Sequence, residues 1–100
     1  MKFTCNKSDI NEAINIVLKA VPGKTTMPIL ECVVIEAADD ELKLTTNDMS
    51  LGIETRLSAN IEEEGIILVN AKMISEIIRK LPDEDIYFES DSNENILLFC

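Results

Sequence analysis

The stretch NKSDINEAINIVLKAVPGK, residues 6–24, decides the fold because it places an amphipathic helix between two β-like runs. Its apolar residues recur at the i, i+3, i+4 spacing that puts them on one helical face: Ile10, Ala13, Ile14, Val17, Leu18 and Val21. Asn6 or Ser8 can cap the start, and Pro22 ends the helix because it cannot continue the backbone hydrogen-bond ladder. The pattern predicts a helix over residues 8–20.

The stretch NAKMISEIIRKLP, residues 70–82, repeats this pattern. The apolar positions that share its helical face are Ile74, Ile77, Ile78 and Leu81. Asn70 is the candidate N-cap, and Pro82 is the stop. The sequence therefore predicts a second helix over residues 71–81.

The remaining apolar runs are short and rich in Ile, Leu, Val and Thr, which is typical of β-strands. They read KFTC, ILECVVIEA, ELKLTTND, LGIETRLSA, IILV, IYFES and ILLFC, and acidic or Asn-rich turns such as ADDE, EEEG and DSNEN separate them. The predicted order is β-α-β-β-β followed by β-α-β-β, which is one unit written twice over approximately residues 1–65 and 66–100. The second copy is a strand short, so we expect a further strand beyond Cys100.

This order predicts the fold class α+β. We expect one antiparallel sheet system with both helices packed on the same face, in a single small domain.

The net charge of −10 is distributed unevenly along the chain. Residues 1–26 carry four lysines against two acids, and residues 71–81 carry three cations against one glutamate. Residues 27–70 hold ten acids against two cations, and residues 82–100 hold six acids and no cation. The sequence therefore describes an acidic body with two basic helical segments.

The basic side chains of these segments fall opposite the apolar helical faces. At 100° per residue, the outward positions include Lys72, Glu76, Arg79 and Lys80 in the second helix, and Asn11, Asn15 and Lys19 in the first. Any surface helix can carry lysines near its C-terminus, where they favour the helix dipole. The segregation of charge along the whole chain favours the interpretation that the basic helix surface has a function.

The composition argues against several kinds of chemistry. The chain has no histidine, which removes the commonest general base and metal ligand, and its three glycines form no phosphate-binding motif. DSNENI, residues 91–96, matches the start of a calcium loop but has Ile96 where the loop needs glycine, so we expect a hairpin turn there. We predict no cofactor and no metal, and we expect EEEG and PDED to be solvated loops.

The sequence also predicts the cellular compartment. No apolar run approaches the roughly 20 residues that cross a bilayer, and the N-terminus has no signal-peptide stretch, so we expect a cytoplasmic protein without membrane contact. The three cysteines, Cys5, Cys32 and Cys100, are odd in number and form no CxxC pattern. We expect reduced thiols buried in strands.

Five motifs together resemble one family in order along essentially all of the chain. They are MKFT at the start, VPGKTTMPIL after the first helix, LKLTTNDMSLGIE, EEEG before a short strand, and NAKMISEIIRKLP. In this order they are similar to the first domain of the bacterial DNA polymerase III beta subunits, the replication sliding clamps.

The resemblance implies a ring of two chains, each with three similarly folded domains, that encircles duplex DNA and tethers the replicative polymerase without catalysing a reaction. Helices would line the inner wall and a continuous sheet would form the outside. The second clamp chain, the polymerase and the clamp loader would be partners of the full-length protein. The pocket for their peptide motifs would lie between the second and third domains, outside this chain.

The resemblance also implies the residues that contact DNA. The basic residue of the GKTTMPIL corner carries over to Lys24, and the basic residue after the start of the second helix carries over to Lys72. Arg79 lies two turns further along the same face, and Lys19 and Lys80 are added on their position alone. Such contacts with phosphates carry no sequence information and permit sliding.

Two other functions stay open on the residues alone. A regulatory or adaptor domain would bind a basic protein partner through its acidic sheet and would show no salt-sensitive DNA contact at Lys24 and Lys72. A small enzyme would use carboxylates such as Asp48, Glu54 or Glu76 as acid and base, but nothing pairs them in the sequence.

Overall fold

The structure is a computed structural model that describes residues 1–22, 28–48, 51–91 and 95–99. Within these residues the strands are β1 (Lys2–Asn6), β2 (Cys32–Ala38), β3 (Glu41–Asn47), β4 (Gly52–Ser58), β5 (Asn60–Glu63), β6 (Gly65–Asn70), β7 (Asp85–Ser90) and β8 (Ile96–Phe99). The α-helices are α1 (Lys7–Val17) and α2 (Ala71–Lys80). Short 3₁₀ turns cover Leu18–Ala20, at the end of α1, and Pro28–Glu31, before β2.

Both α-helices begin directly where a strand ends on an asparagine. Oδ1 of Asn6 accepts a hydrogen bond from the backbone N–H of Asp9 at 3.2 Å, and Oδ1 of Asn70 accepts one from the N–H of Met73 at 2.9 Å. Each bond satisfies an N–H group that a helix start leaves unpaired. The predicted caps are therefore confirmed, and the strand passes into the helix without a loop.

The strands form two antiparallel sheets of four strands each. Sheet A has the order β5-β1-β7-β8, and sheet B has the order β4-β3-β2-β6. The strand before α1 (β1) pairs with the strand after α2 (β7), and the strand before α2 (β6) pairs with the strand after α1 (β2). Each β-α-β segment thus gives one strand to each sheet, which ties the two sheets together.

A two-residue turn fixes the register of the β2–β3 hairpin. Asp39 and Asp40 have φ angles of 54° and 60°, in the left-handed region that aspartate tolerates better than most residues. Positive φ at both central residues is the twist that a two-residue hairpin needs. Here the predicted acidic turn ADDE is confirmed.

One continuous apolar core joins both helices to both sheets. Helix α1 packs on β3 and β4, and α2 packs on β2 and β6, so both lie on the same face of sheet B. The core includes Phe3, Ile10, Ile14, Val17, Val33, Ile35, Leu42, Leu44, Ile74, Ile78, Ile86 and Phe88. Burial alternates along β2 and β3, as expected for strands with one face on a core and one toward solvent.

The α+β class is confirmed, but three details differ from the sequence-based expectation. The strands divide into two sheets rather than forming a single sheet system. Glu62 and Glu63 of the predicted EEEG loop belong to β5, which pairs with β1 because Ile61 packs against the core. Ile77 is 42% exposed rather than buried, because buried Ala71 and Ser75 shift the inner face of α2 away from it.

The predicted hairpin turn at residues 91–96 lies partly outside the described residues. At its ends, the side chain of Asp91 accepts hydrogen bonds from the backbone N–H and the side-chain amide of Asn95, both at 3.1 Å. The backbone N–H of Asp91 donates to the carbonyl of Asn95, also at 3.1 Å. These bonds close the connection between β7 and β8.

Candidate nucleic-acid interface

The outward side chains of α1, the Leu18–Ala20 turn and α2 form one surface, here called the helix face. On α2, Lys72, Arg79 and Lys80 are exposed, as predicted. Lys72 and Arg79 are seven residues apart, which is close to two helical turns, so they lie on one side of the helix about 10 Å apart along its axis. That distance is comparable to the width of a DNA groove, about 12 Å for the major groove.

The outward side of α1 is less basic than the charge of its segment suggests. Lys19 is exposed on the 3₁₀ turn, but exposed Asp9 and Glu12 lie on the same helix. Lys2, which contributes to the positive charge of residues 1–26, lies on β1 and pairs with Glu89 at 3.3 Å. In the described residues, the excess of positive charge on the helix face is therefore concentrated on α2.

Lys24, the first residue that the resemblance assigns to DNA, lies outside the described residues. The same applies to Thr25 and Thr26 of the corner motif. The described chain reaches Pro22 and resumes at Pro28, so Lys24 stays a prediction.

Lys7 is a basic residue that the sequence did not place in the site. Its Nζ donates to the backbone carbonyl of Arg79 at 3.3 Å, and Oγ of the adjacent Ser8 donates to Oδ1 of Asp83 at 3.0 Å. The start of α1 therefore lies against the end of α2. A lysine in the first turn opposes its own helix dipole but favours the C-terminal end of a neighbouring helix. In the sequence, Lys7 is marked only by its unfavourable position for a cation, directly after the N-cap Asn6.

Cations on the sheets are paired with carboxylates. Lys43 lies 3.5 Å from Glu36, and Arg56 lies 3.0 Å from Glu41 and 3.3 Å from Glu54, all on the outer face of sheet B. These interactions raise the pKa of Arg56, chiefly through its hydrogen bond to Glu41 and then through the bond to Glu54. Sheet cations are therefore neutralised locally.

Cations on the helix face differ from those on the sheets in their ion pairing. Within residues 1–22, 28–48, 51–91 and 95–99, no carboxylate lies within ion-pair distance of Lys19, Lys72, Arg79 or Lys80. These four side chains keep their positive charge available to an external anion. The contrast with the sheets is a property of the tertiary structure, because both surfaces carry lysine and arginine.

The structure does not assemble the carboxylates of the enzyme alternative. Glu54 lies on the outer face of sheet B, beside Arg56, and Glu76 lies on the exposed side of α2. Oδ1 of Asp48 accepts from the backbone N–H of Leu51 at 2.6 Å, which is a turn contact. The described part of the chain contains no group of three or more Cys, Asp or Glu side chains placed to hold a metal ion.

Two further observations concern the cysteines and the membrane. Cys5 is buried and Cys32 is partly exposed, and no disulfide joins these two described cysteines, whereas Cys100 lies outside the described residues. Among the described helices, none is long and apolar enough to span a membrane.

Comparison with known proteins gives a consistent match over the chain. The family model described as "DNA polymerase III beta subunit, N-terminal domain" matches residues 1–100. The beta sliding clamp of Synechocystis sp. is 38% identical over 93 residues, which are 91% of this chain and 24% of the relative. The beta sliding clamp of Bacillus subtilis is 39% identical over 90 residues, which are 82% of this chain and 24% of the relative.

Solved structures agree with this match. A crystal structure of a putative DNA polymerase III beta subunit from Eubacterium rectale has a TM-score of 0.96 and 51% identity, covering 100% of this chain and 27% of that one. The Bacillus subtilis DNA polymerase sliding clamp has a TM-score of 0.93 and 34% identity, covering 98% of this chain and 28% of that one. The chain spans about a quarter of the length of these relatives. This chain belongs to the DNA polymerase III beta subunit family, and it matches the N-terminal domain of those proteins.

Proposed function

We propose that this chain is the first domain of a DNA sliding clamp and that its helix face lies toward duplex DNA. The observation that carries this proposal is the contrast between the two surfaces: Lys19, Lys72, Arg79 and Lys80 have no ion-pair partner in the described residues, whereas the sheet cations are paired. The names of the relatives, beta sliding clamps, support the same role.

The proposed contact is electrostatic and independent of sequence. Lysine and arginine release counterions from DNA when they approach phosphates, and no base edge has to be read. A small excess of positive charge guides the duplex without holding it at one position. The acidic residues that dominate the rest of the chain repel DNA from the outer surface.

The full-length protein would be a ring of two chains with three domains each. About three quarters of the length of the relatives lies outside this chain, so the second clamp chain, the polymerase and the clamp loader are partners of the whole protein in this proposal. The pocket for their peptide motifs would also belong to the later domains. The clamp performs no chemical step: it tethers the polymerase, because leaving DNA requires opening a ring rather than breaking surface contacts.

In this proposal the domain consists of two similar units that arose by internal duplication. We place its two units at approximately residues 1–65 and 66–100. The exchange of strands between the two β-α-β segments supports this division, as does the asparagine cap at the start of each α-helix.

The proposal is tested by NMR titration of the isotope-labelled chain with a short DNA duplex at low salt, repeated at high salt. We expect shifts at Lys72, Arg79, Lys80 and Lys19 that disappear as salt screens the charges. Lys43 is the internal control, because it is a lysine of similar chemistry on the outer face of sheet B, paired with Glu36.

The adaptor alternative predicts the opposite result. A folded chain that shows no salt-sensitive shifts on the helix face, or equal shifts at Lys43 and Lys72, would contradict a DNA-facing helix face. It would favour a domain that binds a basic protein through its acidic sheets.

A further inference from the structure

Thr46 is a buried polar residue that the proposed DNA contact does not use directly. It lies on β3, faces the core and is 2% exposed. Its hydroxyl donates a hydrogen bond to the backbone carbonyl of Val17, the last residue of α1, 29 positions away in the sequence. The bond therefore links an inner strand of sheet B to the end of a helix.

This bond lies where the backbone of α1 changes its geometry. In a continuing α-helix, the carbonyl of Val17 would accept from the N–H of Val21, four residues later. Here the N–H of Val21 donates instead to the carbonyl of Leu18, three residues back, at 3.0 Å. The carbonyl of Val17 accepts from Thr46, and the chain tightens into the 3₁₀ turn of Leu18–Ala20.

The tightened turn determines the position of Lys19. Ala20 is 1% exposed and anchors the turn in the core, while Lys19 points to solvent. Val21 then leaves the turn in an extended conformation, with φ −85° and ψ 121°. The end of α1 is therefore held by a hydrogen bond from a side chain of sheet B.

We propose that Thr46 is a positioning residue for the helix face: its hydroxyl fixes the end of α1 and thereby the direction of Lys19. This inference rests on the proposed function, because it assumes that the helix face meets duplex DNA. Thr46 itself is too deeply buried to touch a ligand, so it acts through Val17 and the 3₁₀ turn. The basic residues of α2 do not depend on it, because Asn70 caps that helix independently.

Two variants separate the hydroxyl from the bulk of the side chain. Thr46→Val keeps the shape but removes the donor, whereas Thr46→Ser keeps the donor. The first measurement is the carbonyl carbon shift of Val17 together with the amide shifts of Leu18 and Lys19, without DNA. We expect these signals to move in Thr46→Val and to stay close to those of the unsubstituted chain in Thr46→Ser.

The second measurement is the titration with a short DNA duplex at low salt. We expect the response of Lys19 to fall at least two-fold in Thr46→Val while the responses of Lys72 and Lys80 are retained. Thr46→Ser should restore the response of Lys19. A purely structural role would lower the stability of the chain without this selective loss.

The outcomes also separate this inference from the proposed function. Unmoved signals at Val17 and Leu18, or an unchanged response of Lys19, in folded Thr46→Val would overturn the role of Thr46. If Thr46→Val does not fold, loss of the Lys19 response in folded Thr46→Ser would overturn it as well. No DNA response at any helix-face residue of the unsubstituted chain would instead contradict the proposed function, and with it the DNA part of this inference.

Discussion

The rings of Phe3 and Phe88 stack across the β1–β7 ladder, with centroids 4.8 Å apart and ring planes 11° apart. Both side chains are fully buried. Because β1 precedes α1 and β7 follows α2, this pair joins the two halves of the chain at the centre of sheet A. Stacked aromatic pairs contribute beyond their buried area.

We expect Phe88→Leu to lower the free energy of unfolding by about 2 kcal/mol, because it removes the stacked ring and leaves unfilled volume in the core. Urea denaturation followed by circular dichroism measures the change. Ile66→Ala is the control: Ile66 is 67% exposed, so its truncation should cost less than about 0.5 kcal/mol. Equal losses in the two variants would contradict the assigned core.

We expect Asn70→Ala to destabilise the chain by about 1 kcal/mol, because the N–H of Met73 loses the acceptor that caps α2. Asn70→Ser should retain most of the stability, since serine is an equally good capping residue. Chemical denaturation of both variants at one pH measures the difference. If serine and alanine behaved alike, the cap would have no energetic role.

We expect Glu63 to contribute a pH-dependent stability. Its carboxylate lies 2.9 Å from the N-terminal ammonium of Met1, and the hydrogen bond and charge of that ammonium lower the pKa of Glu63. A pKa lowered by folding means that the contribution is present above the unfolded value of about 4.3 and is lost as the pH falls through the folded pKa.

The measurement is the difference in unfolding free energy between the unsubstituted chain and Glu63→Gln, from neutral pH down through this acidic range. It should be clear near neutral pH and should vanish once the carboxyl is protonated in both states. Glu62→Gln is the matched control in the same strand, because Glu62 forms no ion pair with any of the described residues. A difference that grew toward acid pH would have the wrong sign.

We expect Cys5 to resist alkylation in the folded chain. Burial, reinforced by the charges of Asp9 and Asp85, raises the pKa of its thiol to about 12, so very little reactive thiolate exists at pH ~8. Cys32 is partly exposed and should react faster. Iodoacetamide labelling followed by peptide mass spectrometry measures both rates, and labelling in urea should equalise them. Comparable rates in the folded chain would contradict the burial of Cys5.

We expect Lys72→Glu to weaken duplex binding several-fold at low salt and to reduce the salt dependence by about one phosphate contact. The unsubstituted chain itself should bind at roughly millimolar affinity, because an isolated domain offers few phosphate contacts. Lys43→Glu is the control with the same charge change on the outer face of sheet B. Equal effects of the two substitutions would mean that DNA does not distinguish the surfaces.

In the ring that we propose for the full-length protein, we expect the double variant Lys24→Glu and Lys72→Glu to be lost faster from circular DNA while its fold is retained. Gel filtration of the clamp loaded on circular DNA, repeated at increasing times after loading, measures the retention. Unchanged retention would remove both residues from the DNA contact.

The sequence by itself determined the elements of this protein. Helical periodicity located α1 and α2, asparagine and proline marked their ends, and short β-branched runs located seven of the eight described strands. These signals are local, because each depends on residues within a few positions of one another. The five motifs also identified the family.

Only the tertiary structure decided what depends on contacts between distant residues. Strand β5 was missed because its acidic sequence resembles a loop, and its pairing with β1 lies almost sixty residues away. The burial of Ser75 instead of Ile77 depends on which side of α2 meets the sheets. The contact of Lys7 with Arg79 and that of Thr46 with Val17 join separate elements, so no local pattern contains them.

The same distinction between local patterns and distant contacts applies to the candidate site. The sequence located the cations of the helix face, Lys19, Lys72, Arg79 and Lys80, because helical periodicity gives their direction. It could not show that sheet cations such as Lys43 and Arg56 are neutralised, because their carboxylate partners include residues on neighbouring strands. Charge follows from the sequence, whereas the availability of that charge to a ligand follows from which side chains the fold brings together.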